Sequence, residues 1–535
     1  MKRTFTSLTK EIVDRFLHSI LFVDDKAYKH DDNGKNSFDA GQISNIFAQK
    51  GKLCTIFAPS IEEDLDKCVP LFAKSDVIVL DWYLDLSSTN PAKNDDEDAD
   101  EEEPQGKYTS RLIKDIVDDA KDEKLKLIIV YTGETDLYKV TTQIYQHLGK
   151  NYSFKKKECC ISTSNIVILV RAKYRSENQY KYLNKLKTKV VKYKDLPEII
   201  VTEYANLIKG LVSNFALSAI ATIRENTSRI LNVYSPRLDA AYLGHKIALP
   251  NPDDAKSLLI KLFGESITDL ISSIDIDTSD WIKLWTYSHY RKPSSVKIKD
   301  MNIQIKRSII MQLIKSHEKR FDNLIDFFND CFYNEHLSKS TIREILKNGS
   351  SLFEHVEKDP HQSNLEFAKL THHKNMFRPL SKNPYLTLGT IVRLRQVNKD
   401  QNEYLYYLCI QQRCDSLRIT DLERRFLFLP LISEGKKSKY NIIIDSQKHM
   451  SISASSYDLK TIKFIADKDK KIVEAITVND NTNHNIRYVF KSIYDEEYEW
   501  VLDLKEAHAQ RIINEYCANL SRVGLDESEW LRTLE

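Results

Sequence analysis

A chain of 535 residues is too long for a single hydrophobic core and calls for three or four domains. Hydrophobic residues at 41%, aromatics at 10% and charged residues at 29% describe a folded chain with a solvated surface, which excludes a disordered or collagen-like one. With 79 basic and 77 acidic residues the formal charge is only +2, so there is no global electrostatic case for nucleic acid as a partner.

The first 17 residues, "MKRTFTSLTKEIVDRFL", place apolar positions at helical spacing among charges and predict a helix instead of a signal-peptide core. No apolar run reaches the roughly 18 residues of a membrane span, so no membrane partner is expected and the default compartment is the cytoplasm. Eight scattered cysteines read as reduced thiols, not as a disulfide framework.

From residue 18 short apolar runs alternate with helical patterns. The runs "HSILFVDD" (18–25), "KLCTIFAP" (52–59), "SDVIVLDWYL" (75–84), "KLKLIIVYTG" (124–133) and "SNIVILVRAK" (164–173) are continuous in apolar character, as strands buried on both faces are. Helical spacing fills 60–72, 107–120 and 136–149. The expected class is therefore α/β, a five-stranded doubly wound parallel sheet over residues 18–210. An insertion at 87–105 carries eight acidic residues in the nine positions 95–103, the pattern of a solvated tract. A lysine-rich stretch, "KYLNKLKTKVVKYKD" (181–195), follows the last strand.

Residues 196–231 read as continuous helix, with Gly210 only a mild cost, and an α-helical domain is expected over 211–380. The clearest helical pattern there is "NIQIKRSIIMQLIKSHEKRFDNLIDFFNDCF". A β-rich domain follows over 381–504, with runs such as "YLYYLCIQQR", "FLFLPLI", "TIKFIA" and "RYVFKSI" that suit a small barrel or sandwich. Helices close the chain over 505–535.

In an open parallel sheet, reactive groups gather outside the carboxyl ends of the strands. Here those ends carry Asp24 and Asp25, Asp81, Thr132 and Lys173. Clustered carboxylates bind a hard dication such as Mg²⁺, and a carboxylate can itself be a nucleophile. A hydroxyl and an ammonium are the groups that hold phosphoryl oxygens. Taken singly, each of these residues is a common turn, cap or surface residue; together they describe one reaction.

"ILFVDD", "VIVLD", "IIVYTG" and "LVRAK", in that order, resemble the receiver domain of two-component response regulators. The resemblance implies that Asp81 accepts phosphate from the phosphohistidine of a partner histidine kinase. It also implies that Asp24 and Asp25 bind Mg²⁺ with Asp81, that Thr132 and Lys173 read the phosphoryl group, and that Tyr83 and Glu134 flank the site. Two positions depart from the pattern: Val170 stands where output-coupled receivers carry an aromatic switch, and Tyr174 stands where a proline usually follows the lysine. The later segments "LVSNFALSAIATIRENTSRIL", "YLCIQQRCDSLRI", "FLFLPL" and "LSRVGLDESEWLR" resemble a bacterial group of large receiver-fronted proteins. That group includes the phosphate-buffer component of Detocs-type antiphage defence systems, which implies a second, effector-bearing receiver protein as a further partner.

Neither G-x-G-x-x-G nor G-x-x-x-x-G-K-[ST] occurs among the 13 glycines. The adjacent His372 and His373 read as surface residues, and Cys409 and Cys414 as opposite-facing core thiols, not as zinc ligands. Three functions stay open on the residues alone: a phosphoacceptor and binding module, a response regulator with an unrecognised C-terminal effector that binds nucleic acid or is an enzyme, and a Mg²⁺-dependent phosphatase or nuclease that uses the three aspartates as ligands only.

Overall fold

The computed structural model describes residues 3–28, 38–87, 105–120, 124–149, 152–174, 186–249, 254–272, 278–290, 294–298, 301–315, 340, 353, 356, 359–374, 383–397, 402–417, 419–432, 442–445, 448–452, 458–479 and 486–520. The acidic tract, the start of the lysine-rich stretch and the last fifteen residues lie outside them. The chain divides into two compact units, Met1–Lys292 with Lys306–Lys315, and Pro293–Ile305 with Ser316–Glu535.

The first unit opens with helix α1 (Phe5–Phe16), whose N-cap Thr4 accepts from the Ser7 amide. The expected strands follow as β1 (Ser19–Val23), β2 (Leu53–Phe57), β3 (Val77–Leu80), β4 (Lys126–Thr132) and, after two short strands, β7 (Ile166–Lys173). Between them run α2 (Ala40–Gln49), α3 (Asp64–Lys74), α4 (Lys107–Asp119) and α5 (Leu137–Leu148). The parallel order is β2-β1-β3-β4-β7. Alternate residues serve opposite faces: Leu21, Ile78, Ile128 and Ile168 pack with α3, α4 and α5, while Phe22, Val79, Ile129 and Leu169 pack with α1, α2 and the helices beyond β7. A strand covered on both faces is apolar along its interior, and all seven residues of β4 are buried, with the polar Lys126 and Thr132 only at its two ends.

The sheet is wider than the five strands expected. A hairpin of β5 (Lys155–Lys157) and β6 (Cys160–Ser162) adds antiparallel to β7, and β8 (Val190–Val191) adds parallel to its end, giving eight strands. The continuous helix expected over 196–231 is also three: α6 (Leu196–Leu207), α7 (Leu211–Glu225) and α8 (Thr227–Val233). Gly210 breaks it, because its extended backbone caps α7 while its carbonyl accepts from the Asn214 amide. The division expected at residue 211 falls inside the first unit. There α7 packs on α1, and Arg224 pairs with Asp76, whose carboxylate also accepts from the His18 and Ser19 amides at the start of β1. Helices α9 (Asp239–Ala248), α10 (Asp254–Ser272) and α11 (Thr278–His289) continue the helical region, and Trp281 of α11 reaches the core beneath α1.

"NIQI", expected as the start of a helix, instead forms β10 (Met301–Ile305), which pairs antiparallel with β9 (Ser294–Ile298). Helix α12 (Arg307–Lys315) starts only after it. The alternating "SSVKIKDMNIQI" follows strand period, and the two-fold alternation prevails over the helical reading.

The second unit holds a nine-stranded antiparallel sheet: β11 (Thr390–Val397), β12 (Asn402–Cys409), β13 (Glu423–Ile432), β14 (Ile442–Ile443), β15 (His449–Ile452), β16 (Lys460–Ile465), β17 (Ile476–Asn479), β18 (Ile486–Lys491) and β19 (Glu497–Asp503). β16 pairs with β13 and meets the end of β18 through a Phe464–Ser492 bridge, which curls the sheet on itself as a small barrel does. Phe426, Phe428, Phe464 and Phe490 fill one face. The helix Glu506–Leu520 covers the other with Ala509, Ile512, Ile513 and Tyr516. Cys409 is buried in this unit, but Cys414 is exposed, so the pair of core thiols is not formed. His372 and His373 are not solvated surface residues either: His372 stacks on His508 with ring centroids 3.8 Å apart, and His373 Nε2 lies 2.8 Å from the Ile443 carbonyl.

Candidate functional site

Hydrogen bonds between strands bring the expected residues to one edge of the first sheet. The Asp24 amide donates to the Phe57 carbonyl and the Asp81 amide to the Val23 carbonyl, so parallel register sets the first and third strand ends side by side. Asp24, Asp25, Asp81, Thr132 and Lys173 are all buried. Carboxylate oxygens of the three aspartates lie within 4.8 Å of one another. Lys173 Nζ is 2.8 Å from Asp24 Oδ2 and 3.3 Å from Asp81 Oδ2.

Each side chain is held by local backbone. The Lys26 amide donates to Asp24 Oδ1 at 3.0 Å and the Trp82 amide to Asp81 Oδ1 at 2.9 Å. Thr109 Oγ1, on the first turn of α4, donates to the Asp81 carbonyl at 2.7 Å. Thr132 Oγ1 accepts from the Glu134 amide at 3.0 Å. Glu134 thus acts on the site through its backbone, while half-exposed Tyr83 lies at the mouth with Lys26 Nζ 5.9 Å above its ring.

The charges are strongly coupled. Burial pushes the Asp81 carboxyl above its ordinary value; Lys173 pulls it down, and Asp24 and Asp25 push it further up. Burial opposes the charge on Lys173, but Asp81 and Asp24 outweigh it and hold the ammonium above its ordinary range. Three carboxyl groups gathered around one ammonium form an all-oxygen donor set that matches a hard dication such as Mg²⁺.

Several supporting residues carry no signal in the sequence. Lys173 Nζ lies 5.5 Å from the Phe38 ring centroid and 6.0 Å from that of Tyr131. Tyr131 donates its hydroxyl to the Val191 carbonyl of β8 at 2.8 Å, and its ring meets Tyr193 at 6.0 Å. These rings lie on the α2 and α6 face, whereas Val170 is buried with Ile168 and Ala172 on the opposite face. Tyr174 is partly exposed, and Lys192 Nζ lies 4.2 Å from its ring.

A mostly parallel sheet with its parallel strands in the order β2-β1-β3-β4-β7, and with an acidic cluster and a lysine at its carboxyl edge, defines a receiver-like α/β domain. Residues 16–178, less than a third of the chain, match the family model of the response receiver domain. No curated protein and no solved structure matches the chain significantly. A receiver domain supports a role as a two-component response regulator or phosphoacceptor, served by a phosphodonor such as a histidine kinase, and domains of this kind typically bind Mg²⁺ at an acidic pocket. Among the described residues no helix is long and apolar enough to cross a membrane.

Proposed function

We propose that Asp81 is the phosphoacceptor of a bacterial phosphorelay, taking its phosphoryl group from a partner histidine kinase. The observation that carries this reading is the buried Lys173 ammonium between Asp24 and Asp81 at the carboxyl edge of the sheet. An Asp81 carboxylate oxygen attacks the phosphorus of the phosphohistidine. The P–O bond forms as the P–N bond breaks, and the imidazole leaves with the electron pair and takes up a proton. Lys173 moves from Asp81 to a phosphoryl oxygen. Thr132 Oγ1 already accepts from the Glu134 amide, which leaves its O–H to donate to a second phosphoryl oxygen. Asp24, Asp25 and Asp81 would hold Mg²⁺, which supplies further positive charge against the phosphoryl group.

The chain stores the phosphoryl group instead of driving an output of its own. Val170, buried on the α5 face, supports this, since it has no ring to swing between a buried and an exposed position. The sequence resemblance supports a place in two-component antiphage defence, with a second, effector-bearing receiver protein drawing on the same kinase.

The test is labelling of the full chain by a small phosphodonor with Mg²⁺, read by intact mass. Wild type gains one phosphoryl group and Asp81→Asn none; label surviving in Asp81→Asn sinks the assignment. Lys173→Met removes one of the groups that neutralise the transferred phosphoryl, and labelling slows about a hundredfold or more.

A further inference from the structure

By the alternation of β7, Lys173 shares the sheet face of Leu169, and aromatic side chains from three separate elements meet it there. Phe38 stands immediately before Asp39, the N-cap of α2; Tyr131 precedes Thr132 in β4; and Tyr193 opens the 3₁₀ turn that leads into α6. The ammonium sits over two of the rings, 5.5 Å from the Phe38 centroid and 6.0 Å from that of Tyr131, the range at which the negative face of a ring attracts a cation. Phe38 and Lys173 are 5% exposed and Tyr131 2%, so water screens little of that attraction.

The rings hold one another in place. Tyr193 meets Phe38 edge-on at 6.1 Å and Tyr131 at a tilt at 6.0 Å, Phe22 of β1 backs Phe38 at 5.8 Å, and the Asp39 amide donates to the Tyr193 hydroxyl at 3.4 Å. Apolar packing alone is served as well by leucine at position 38 and does not call for a ring face turned to an ammonium. The ion pairs of Lys173, by contrast, are poor anchors during a phosphoryl transfer. Asp24 and Asp81 belong to the set that would hold Mg²⁺, and Asp81 also becomes the phosphoryl ester, so both pairs weaken just as the ammonium is needed. A ring face attracts the cation without drawing on those oxygens.

We infer that Phe38 and Tyr131, backed by Tyr193, are positioning residues that keep the Lys173 ammonium aimed at the phosphoryl group while the metal and the ester take over its carboxylate partners. This rests on the reading of Asp81 as the phosphoacceptor. A long lysine stem released from its ion pairs regains rotamer freedom, and re-ordering it at the moment of transfer slows the reaction. Two ring faces that stay in place spare the transfer that step, and they act on it only through Lys173.

The test replaces Phe38 in the full chain with pentafluorophenylalanine, which keeps the shape of the ring but reverses the sign of its face, beside Phe38→Leu, which removes the ring. With a small phosphodonor and Mg²⁺, both proteins label Asp81 about tenfold more slowly than wild type, while the urea midpoint of the fluorinated protein stays in place. In metal-free, unphosphorylated chain carrying ¹⁵N-lysine, the ring face shifts the Lys173 ammonium protons upfield, and Phe38→Leu relaxes that shift; the signal is the one lost in Lys173→Met. A fluorinated protein that labels at the wild-type rate overturns the inference, because the ring is then packing alone, and so does a Lys173 signal that Phe38→Leu leaves unmoved. A wild type without label at Asp81 overturns the phosphoacceptor reading and this inference together, whereas a labelled wild type indifferent to the fluorinated ring overturns this inference alone.

Discussion

Gly106 shows how closely single residues set the candidate site. Its φ of 82° lies in the left-handed region, and a Cβ there would sit 2.1 Å from the Trp82 ring. The same Trp82 gives its amide to Asp81 Oδ1, and Thr109, three residues past the glycine, donates to the Asp81 carbonyl. The return of the chain into α4 is therefore tied to Asp81 through one packed indole. Gly106→Ala adds both a clash and a disfavoured φ, and destabilises the first unit by about 2 to 4 kcal/mol, read as a lower urea midpoint. An unchanged midpoint would mean that the indole is free to move aside. The gathering of Asp24, Asp81, Thr132 and Lys173 at one edge of the sheet was legible beforehand because each stands at the end of an apolar run. Trp82, Thr109 and Phe38 were not, because their roles depend on where an indole, a helix turn and a loop come to rest, and no periodicity encodes that.

At the scale of elements, the aromatic group behind Lys173 links the site to β8 and α6. Tyr131 sits one residue before Thr132, meets Tyr193 ring to ring at a tilt and donates to the Val191 carbonyl, which also accepts from the Tyr174 amide. Tyr131→Phe removes one of the two donors to that carbonyl, at a cost of about 1 kcal/mol. The expected result is faster hydrogen exchange confined to residues 190–207; exchange that rises equally in α4 and α5 would show that the hydroxyl does not act locally. The five parallel strands were legible from continuous apolar runs, and the helices between them from their spacing. The β5–β6 hairpin was not, because "KKKECCIS" is a polar edge whose three lysines are all exposed. Strand β19, "EYEWVLD", lies within the expected β-rich region but has no continuous apolar run: Tyr498 and Trp500 serve one face while Glu497 and Glu499 interrupt it. Gly210 looked like a tolerated helical glycine, yet its carbonyl and extended backbone start a new helix.

For the whole molecule, two units with separate cores predict two urea transitions, which hydrogen exchange read by mass spectrometry assigns to one unit or the other. A ligand stabilises only the unit that binds it, so Mg²⁺ raises the midpoint of the first unit and leaves the second in place. Acid does the opposite. Burial lowers the His372 imidazole from its ordinary 6.5 to about 4, and His508, Arg511, His373 and Lys505, all cationic or able to become so, add to the shift. The unfolded chain therefore takes up this proton at a higher pH than the folded one. Stability is fully present above pH 6.5, falls as the pH drops toward 4, and falls no further below that on account of this group. The second midpoint should decline across that window, and His372→Gln should flatten the decline while keeping most of the ring's packing against His508. A slope unchanged in His372→Gln would place the acid sensitivity elsewhere in the second unit and leave the stacked pair a packing contact alone.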